Sequence, residues 1–172
     1  MRLSAQVAAG GAWQLLGGLQ AALLSGGVRA VVGPRHGRAS RYAFGLGLDF
    51  EQQSAVSGGA LPARWDVSET RVRLEGEARL VERTLGPVDV DLSVVAGLGA
   101  ILGGHSFQIG DARASALLLG PTGRLALVSG LGVGPGAVTL TLPLDVSVDT
   151  AGGTNGFAPI AAGLYVGYRL DL

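Results

Sequence analysis

The last thirteen residues constrain the fold most strongly, because they alternate strictly between two kinds of side chain. From Ile160 to Leu172, every even position is apolar or aromatic, and the odd positions are Ala, Gly, Tyr, Gly, Arg and Asp. A two-residue period of this kind predicts a β-strand with one apolar face. That face must contact either a protein core or lipid, and the same pattern recurs along most of the chain.

The composition favours lipid. Charged residues make up only 15% of the 172 residues, and the mean hydropathy is +0.41. A small soluble domain needs more polar groups than this to cover its surface. Charges or glycines interrupt every apolar run, so the sequence excludes a transmembrane helix. The remaining way to cross a bilayer is a closed β-barrel, because an open sheet edge would leave backbone groups unpaired in hydrocarbon.

The formal net charge is zero, because the chain contains thirteen Arg, no Lys, and thirteen Asp and Glu in total. We therefore expect no nucleic-acid partner. Cysteine is absent, which excludes disulfides and thiolate metal sites. We predict no cofactor and no bound metal.

Eight alternating segments predict an all-β, closed, antiparallel up-and-down transmembrane barrel as a single domain, 1–172. The predicted strands are 2–15, 19–33, 42–51, 65–81, 88–102, 112–119, 125–148 and 160–172. An amphipathic helix over 13–24 is an alternative, although paired glycines weaken it. The predicted reversals are at 17–18, 34–37, 85–87 and 121–123, with loops at 52–64, 103–111 and 151–156.

The seventh predicted strand contains a change of phase. Its apolar residues lie at odd positions up to Leu131 and at even positions from Val138. Such a change needs a turn or a bulge. A turn would give nine runs, whereas bacterial single-chain barrels have even numbers of strands. We therefore predict eight strands with a bulge near Pro135, and ten strands are the alternative.

Segment 65–81 separates its charges most sharply. The odd positions from Glu69 to Arg79 carry three acids and three bases, while the even positions are apolar or small apart from Thr70. In a soluble sandwich this face would be solvated. Inside a narrow barrel, it predicts a self-neutralising ion-pair network that fills the lumen. The residues predicted for this network are Asp49, Glu51, Glu69, Arg71, Arg73, Glu75, Glu77, Arg79, Asp89 and Asp91.

The opposite faces of the strands are predicted to contact lipid. Segment 42–51 has aromatic residues near both ends, as in the aromatic girdles of transmembrane barrels. The predicted lipid-facing residues are Tyr42, Phe44, Leu46, Leu48, Phe50, Val72, Leu74, Val94, Leu98, Leu164, Val166 and Tyr168. A soluble barrel that binds an apolar ligand is an alternative, and it would turn these faces inward.

Together these segments resemble the small eight-stranded, OmpA- and OmpX-like outer-membrane barrels of Gram-negative bacteria. Turns at Pro34, Pro87 and Pro121 resemble periplasmic turns. The last strand resembles the C-terminal assembly signal of such proteins, although Leu replaces the usual terminal Phe. The residues that carry this signal are Leu164, Val166, Tyr168, Leu170 and Leu172.

The resemblance implies an outer-membrane location, so we expect the full gene to encode an export signal. It implies membrane lipids and the barrel-insertion machinery as partners, with a further protein partner possible through the loops. Because side chains fill an eight-stranded lumen, we expect no open pore. The expected function is non-enzymatic, with structural, adhesive or partner-binding roles that the loops carry.

Few residues suggest chemistry. His105 and Ser106 are adjacent in the predicted loop 103–111, and Asp111 is the nearest acid. Some small outer-membrane barrels deacylate lipid A with a His, Ser and Glu set, so a lipid-modifying enzyme is the alternative function. Adjacent strand residues point to opposite faces, which argues against it, and we predict no catalytic residue. Asp145 and Asp149 lack the spacing of a calcium loop and are expected to be solvated.

Overall fold

The computed structural model is an almost entirely antiparallel β-structure, and it describes residues 2–13, 20–32, 41–57, 63–148, 150 and 160–171. The strands are β1 Arg2–Trp13, β2 Gln20–Val32, β3 Tyr42–Ser57, β4 Ala63–Leu85, β5 Val88–Ile109, β6 Ala112–Val133, β7 Gly136–Ser147, β8 Ile160–Ala162 and β9 Tyr165–Asp171. Within these ranges, no helix is long and apolar enough to span a membrane.

The strand pairings form a ring. Consecutive strands pair from β1 to β7, and β1 also pairs with β9. β7 pairs with β6 on one side and with β8 and β9 on the other. β8 and β9 lie end to end along β7, separated by Gly163 and Leu164, so the nine strands occupy eight positions. The all-β, up-and-down barrel with eight strand positions is therefore confirmed.

Three of the connections are two-residue turns, at 86–87, 110–111 and 134–135. Each begins with a glycine at positive φ: Gly86 at 64°, Gly110 at 55° and Gly134 at 61°. Residues with a Cβ are strained at positive φ, whereas glycine is not. A tight hairpin turn of type II′ requires positive φ at its first position. The predicted turn at 85–87 is confirmed.

The predicted reversal at 121–123 is wrong, because Pro121 lies inside β6. Its carbonyl accepts a hydrogen bond from the backbone N–H of Val148 at 3.0 Å. The bulge predicted near Pro135 is also wrong, since Gly134 and Pro135 form the turn between β6 and β7. That turn accounts for the change of apolar phase. The ladder irregularity lies instead between Arg79 and Val81.

The loops predicted at 52–64 and 103–111 are wrong in extent. β3 continues to Ser57, β4 begins at Ala63, and β5 continues to Ile109. The pairing of β4 with β5 runs through this region without a shift of register. The helix proposed over 13–24 is wrong where it is described, since β2 begins at Gln20. The reversals at 17–18 and 34–37 and the loop at 151–156 lie outside the described residues.

Candidate functional site: the charged interior

The two faces of the barrel wall have opposite environments. Arg73 is 0% exposed and Glu75 is 3% exposed. On the other face, Phe44, Leu74 and Leu98 are 71%, 73% and 76% exposed. The charged stripe therefore lies inside the ring and the apolar stripe outside, which is the reverse of a soluble barrel with an apolar interior.

Asp145 on β7 accepts hydrogen bonds from two arginines and lies within ion-pair distance of a third. Arg124, directly opposite on β6, donates from Nε to Oδ1 at 2.7 Å and from Nη2 to Oδ2 at 2.8 Å. Arg71 on β4 donates from Nη1 to Oδ2 at 3.3 Å, and Nη1 of Arg73 lies 3.9 Å from Oδ1. All four residues are buried. One carboxylate thus links three strands across the interior.

Two further carboxylates contact the guanidinium of Arg71. Its Nη1 lies 2.5 Å from Oε2 of Glu51 on β3, and its Nη2 pairs with Glu69 on β4. Glu51 and Glu69 stand opposite each other in the ladder. Because three carboxylates surround this guanidinium, its charge is compensated within the protein, as a buried arginine requires.

Arg73 is held in a similar way one step along β4. It pairs with Asp49 on β3, and its Nε lies 3.6 Å from Oε1 of Glu75. Oδ2 of Asp49 also lies 2.9 Å from Nη1 of Arg124. The ring of Tyr165 on β9 lies 5.6 Å from the guanidinium carbon of Arg124, within cation–π range. The cluster therefore reaches from β3 round to β9.

The residues predicted for the interior network divide into two groups. Those that are buried inside the ring are Asp49, Glu51, Glu69, Arg71, Arg73, Glu75 and Glu77. The other three lie towards the end of the barrel that carries the turn at 86–87. There, Arg79 pairs with Glu82 at 2.6 Å, exposed Asp89 accepts a hydrogen bond from Thr84, and Asp91 pairs with Arg169 at 2.5 Å.

Among the charged residues whose burial the structure describes, sequence reasoning missed Arg124, Asp145 and Arg169. The expectation that Asp145 is solvated is wrong, since it is 1% exposed and forms a bidentate pair with Arg124. β7 alternates between buried and exposed residues. Asp145 occupies an odd position, opposite to the apolar even positions, and this alternation could have predicted that it faces the interior. Asp149 lies outside the described residues, and the described part of the chain contains no group of three or more possible metal ligands.

The residues predicted to face lipid lie on the outward faces. Those between 38% and 76% exposed are Tyr42, Phe44, Leu46, Leu48, Phe50, Val72, Leu74, Leu98, Leu164, Val166 and Tyr168. Val94 is half-buried. Of the other residues predicted for the assembly signal, Leu170 is half-buried and Leu172 lies outside the described residues.

His105 and Ser106 lie in β5 rather than in a loop. As neighbours in a strand, they point to opposite sides of the sheet. Ser106 stands between Asp66 on β4 and Ser115 on β6, whereas Asp111 lies in the turn that follows β5. The structure therefore does not bring His105, Ser106 and Asp111 together. Both His105 and Ser106 line a shallow groove of about 410 Å³, and the acid in its lining is Asp66 rather than Asp111.

No family model and no curated protein matches the chain in sequence. Its structure is similar to that of Neisserial surface protein A, with a TM-score of 0.51 and 14% identity over 99% of this chain and 96% of that one. Ail, the attachment invasion locus protein of Yersinia pestis, has a TM-score of 0.51 and 14% identity over 98% of this chain and 97% of that one. Both are eight-stranded outer-membrane barrels. The N-terminal β-barrel domain of Pseudomonas aeruginosa OprF reaches a TM-score of 0.44 at 12% identity, covering 97% of each chain.

Proposed function

We propose that this chain, which has the fold of small outer-membrane barrels, is a non-enzymatic protein of the bacterial outer membrane. Its apolar outer face contacts lipid, its lumen is filled by ion pairs, and it acts through its exposed end in structural, adhesive or partner-binding roles. The observation that carries the proposal is the reversed sidedness, with Arg73 fully buried and Leu98 76% exposed. Only an apolar solvent makes this arrangement favourable.

The height of the apolar band supports a membrane location. A transmembrane β-strand needs about 9–11 residues to cross the hydrocarbon layer. On β3, the exposed apolar side chains run from Tyr42 to Phe50, which is nine residues. On β7 and just beyond it, they run from Val138 to Val148, which is eleven. Tyr42 and Phe50 also supply an aromatic residue near each interface.

The interior supports a structural rather than a conducting role. The guanidiniums of Arg71, Arg73 and Arg124, with the carboxylates between them, occupy the centre of the ring. In an eight-stranded barrel, side chains of this size fill the available width. We therefore expect only small or no ion conductance when the protein is inserted in a planar bilayer.

The part of the barrel available to a partner is the end opposite the chain termini. There, β4, β5 and β6 extend beyond the level of Phe50 to the turn at 110–111. An attachment role is one form of this proposal, and the name of Ail supports it only by analogy of fold. The alternating residues of β9 serve, in this proposal, as the signal for the barrel-insertion machinery.

Insertion and orientation are tested together on cells that express the protein with an export signal. One variant carries a protease site between Gly110 and Asp111, and a matched variant carries it between Gly134 and Pro135. We expect the first site to be cut on intact cells and the second only after permeabilisation.

The purified protein should require detergent and migrate faster on an unheated gel than after boiling. A protein that remains monodisperse in buffer without detergent would contradict the proposal.

A further inference from the structure

On the outward face of β3 to β6, residues that are ladder partners form rows across the four strands. Beyond the apolar band, the side chains become more polar from each row to the next. The last mainly apolar row consists of Phe50, Thr70, Leu102 and Leu119. The next two rows are Gln52, Ser68, Gly104 and Leu117, and then Ser54, Asp66, Ser106 and Ser115. The outermost row contains Arg64, Gln108 and Arg113. Apolar groups thus give way to hydroxyls, and hydroxyls to guanidiniums.

The carboxylate of Asp66 is held in place at the centre of this face. Ser54 donates to its Oδ1 at 2.6 Å, and Nε of Arg64 donates to its Oδ2 at 2.7 Å. The hydrogen bond from Arg64, and then that from Ser54, hold the pKa of Asp66 below its usual value, so it is ionised at neutral pH. The face therefore presents an ordered acceptor.

Several hydroxyl groups around this carboxylate are available for hydrogen bonds to a ligand. In the described part of the chain, the side chains of Ser68, Ser106 and Ser115 make no hydrogen bond. They line the groove of about 410 Å³ together with Asp66 and Gln52. Hydroxyls and amides both donate and accept, which suits the hydroxyl groups of a saccharide.

The height of these rows indicates the kind of headgroup they would meet. Two residues along a strand advance about 6.8 Å, and at a tilt of about 45° each row rises about 5 Å above the one below. The row of Ser106 therefore lies about 10 Å above the last apolar row, and that of Arg113 about 15 Å. The polar layer of a phospholipid leaflet is only about 5–8 Å thick. A larger headgroup is needed to reach these side chains.

We propose that this outer groove binds the saccharide headgroup of a glycolipid whose acyl chains lie against the apolar band below. This inference rests on the proposed membrane location. Apart from His105 and Ala116, the residues that line the groove lie on the same outward face as the band, so one lipid molecule can contact both. The guanidinium of Arg113 suits an anionic substituent on such a headgroup, whereas that of Arg64 is paired with Asp66.

The test measures the unfolding temperature of the protein in vesicles, from the loss of its fast-migrating gel band. The vesicles contain phosphatidylethanolamine and phosphatidylglycerol alone, with lipid A, or with lipopolysaccharide that carries its core saccharides. We expect lipopolysaccharide to raise the unfolding temperature more than lipid A. A variant that combines Ser106→Ala, Ser115→Ala and Arg113→Gln should need about tenfold more lipopolysaccharide for half of this effect, which corresponds to about 1.4 kcal/mol.

The matched control is Arg83→Gln, which removes an exposed arginine at the opposite end of β4 and should respond as the wild type does. Equal effects of lipid A and lipopolysaccharide, or an unchanged response of the triple variant, would overturn the inference. An equal effect of the free core oligosaccharide would show a soluble glycan as the ligand and would also overturn it. Failure to insert into any vesicle would instead contradict the proposed membrane location, and this inference with it.

Discussion

Arg124 and Asp145 face each other directly across β6 and β7 and share two hydrogen bonds of 2.7 and 2.8 Å. The same carboxylate also accepts a hydrogen bond from Arg71 and lies 3.9 Å from Arg73. Removing its charge would therefore weaken the hydrogen bonds of two buried guanidiniums. Each arginine keeps another carboxylate, since Asp49 pairs with both Arg124 and Arg73, and Arg71 pairs with Glu51 and Glu69. Hydrogen bonds to charged groups still contribute more to stability than exposed ion pairs do.

We predict that Asp145→Asn lowers the free energy of unfolding by about 1.5–3 kcal/mol, the loss expected for hydrogen bonds to a charged group. The measurement is urea unfolding of the protein in lipid vesicles, followed by the unheated gel band. The control is Glu82→Gln, which removes a pair with Arg79 whose carboxylate side chain is 44% exposed. That change should cost less than about 1 kcal/mol. Similar losses in the two variants would show that the cluster is not the main electrostatic contribution to stability.

The lipid-exposed face predicts a strong dependence on position along β5. Leu98 lies in the apolar band, and a charge there must enter hydrocarbon. Leu98→Arg should lower the free energy of unfolding in vesicles by about 2–4 kcal/mol if the site lies near the bilayer midplane. Gln108→Arg, on the same outward face but above the band, should lower it by less than about 1 kcal/mol, the cost of placing a charge beside its ladder partners Arg64 and Arg113. If Leu98→Arg is as neutral as Gln108→Arg, that face is in water.

The barrel and its sidedness could be predicted from the sequence because alternation is a local property. From Glu69 to Arg79, the position of a residue in the sequence indicates whether it lies on the same face as Arg73. The cluster of arginines around Asp145 could not be predicted in this way. Its contacts with Arg71 and Arg73 depend on how the ring closes and on the stagger between strands far apart in the sequence.

The misplaced reversal at Pro121 has a different origin. A Pro–Thr–Gly sequence is a turn signal, but the apolar phase runs unchanged from Leu117 to Val133. A hairpin would have reset that phase, as the turn at 134–135 does. The longer pattern is therefore the more reliable evidence. Without the turn at 134–135, Arg124 and Asp145 would lie along one long strand, where they could not face each other.

Inward-facing glycines make room for the charged side chains. A Cβ on Gly97 would lie 2.9 Å from Cγ of Glu75 and 3.2 Å from the carbonyl oxygen of Leu74. We predict that Gly97→Ala lowers the free energy of unfolding by about 1–3 kcal/mol, because the interior becomes overpacked. The measurement is again urea unfolding in vesicles.

The control for Gly97 faces outward. A Cβ on Gly123 would meet Cδ2 of Leu98 at 3.5 Å, an ordinary contact. Gly123→Ala should leave the stability unchanged or raise it by up to about 1 kcal/mol, since alanine restricts the unfolded chain. If Gly123→Ala destabilises the barrel as much as Gly97→Ala does, crowding against Glu75 is not the cause of the loss at Gly97.

The reassigned boundary between β6 and β7 predicts where the chain tolerates an insertion. A short Gly–Ser segment placed between Gly134 and Pro135 lengthens a turn, at a cost of about 0.6 kcal/mol for each doubling of loop length. The same segment placed between Pro121 and Thr122 interrupts a strand that pairs with both β5 and β7. It also separates Thr122 from Ser147, whose hydroxyls lie 3.0 Å apart in the interior. We expect the first variant to form the fast-migrating folded band in vesicles and the second to form little or none. The opposite result would place the hairpin turn at 121–123 after all.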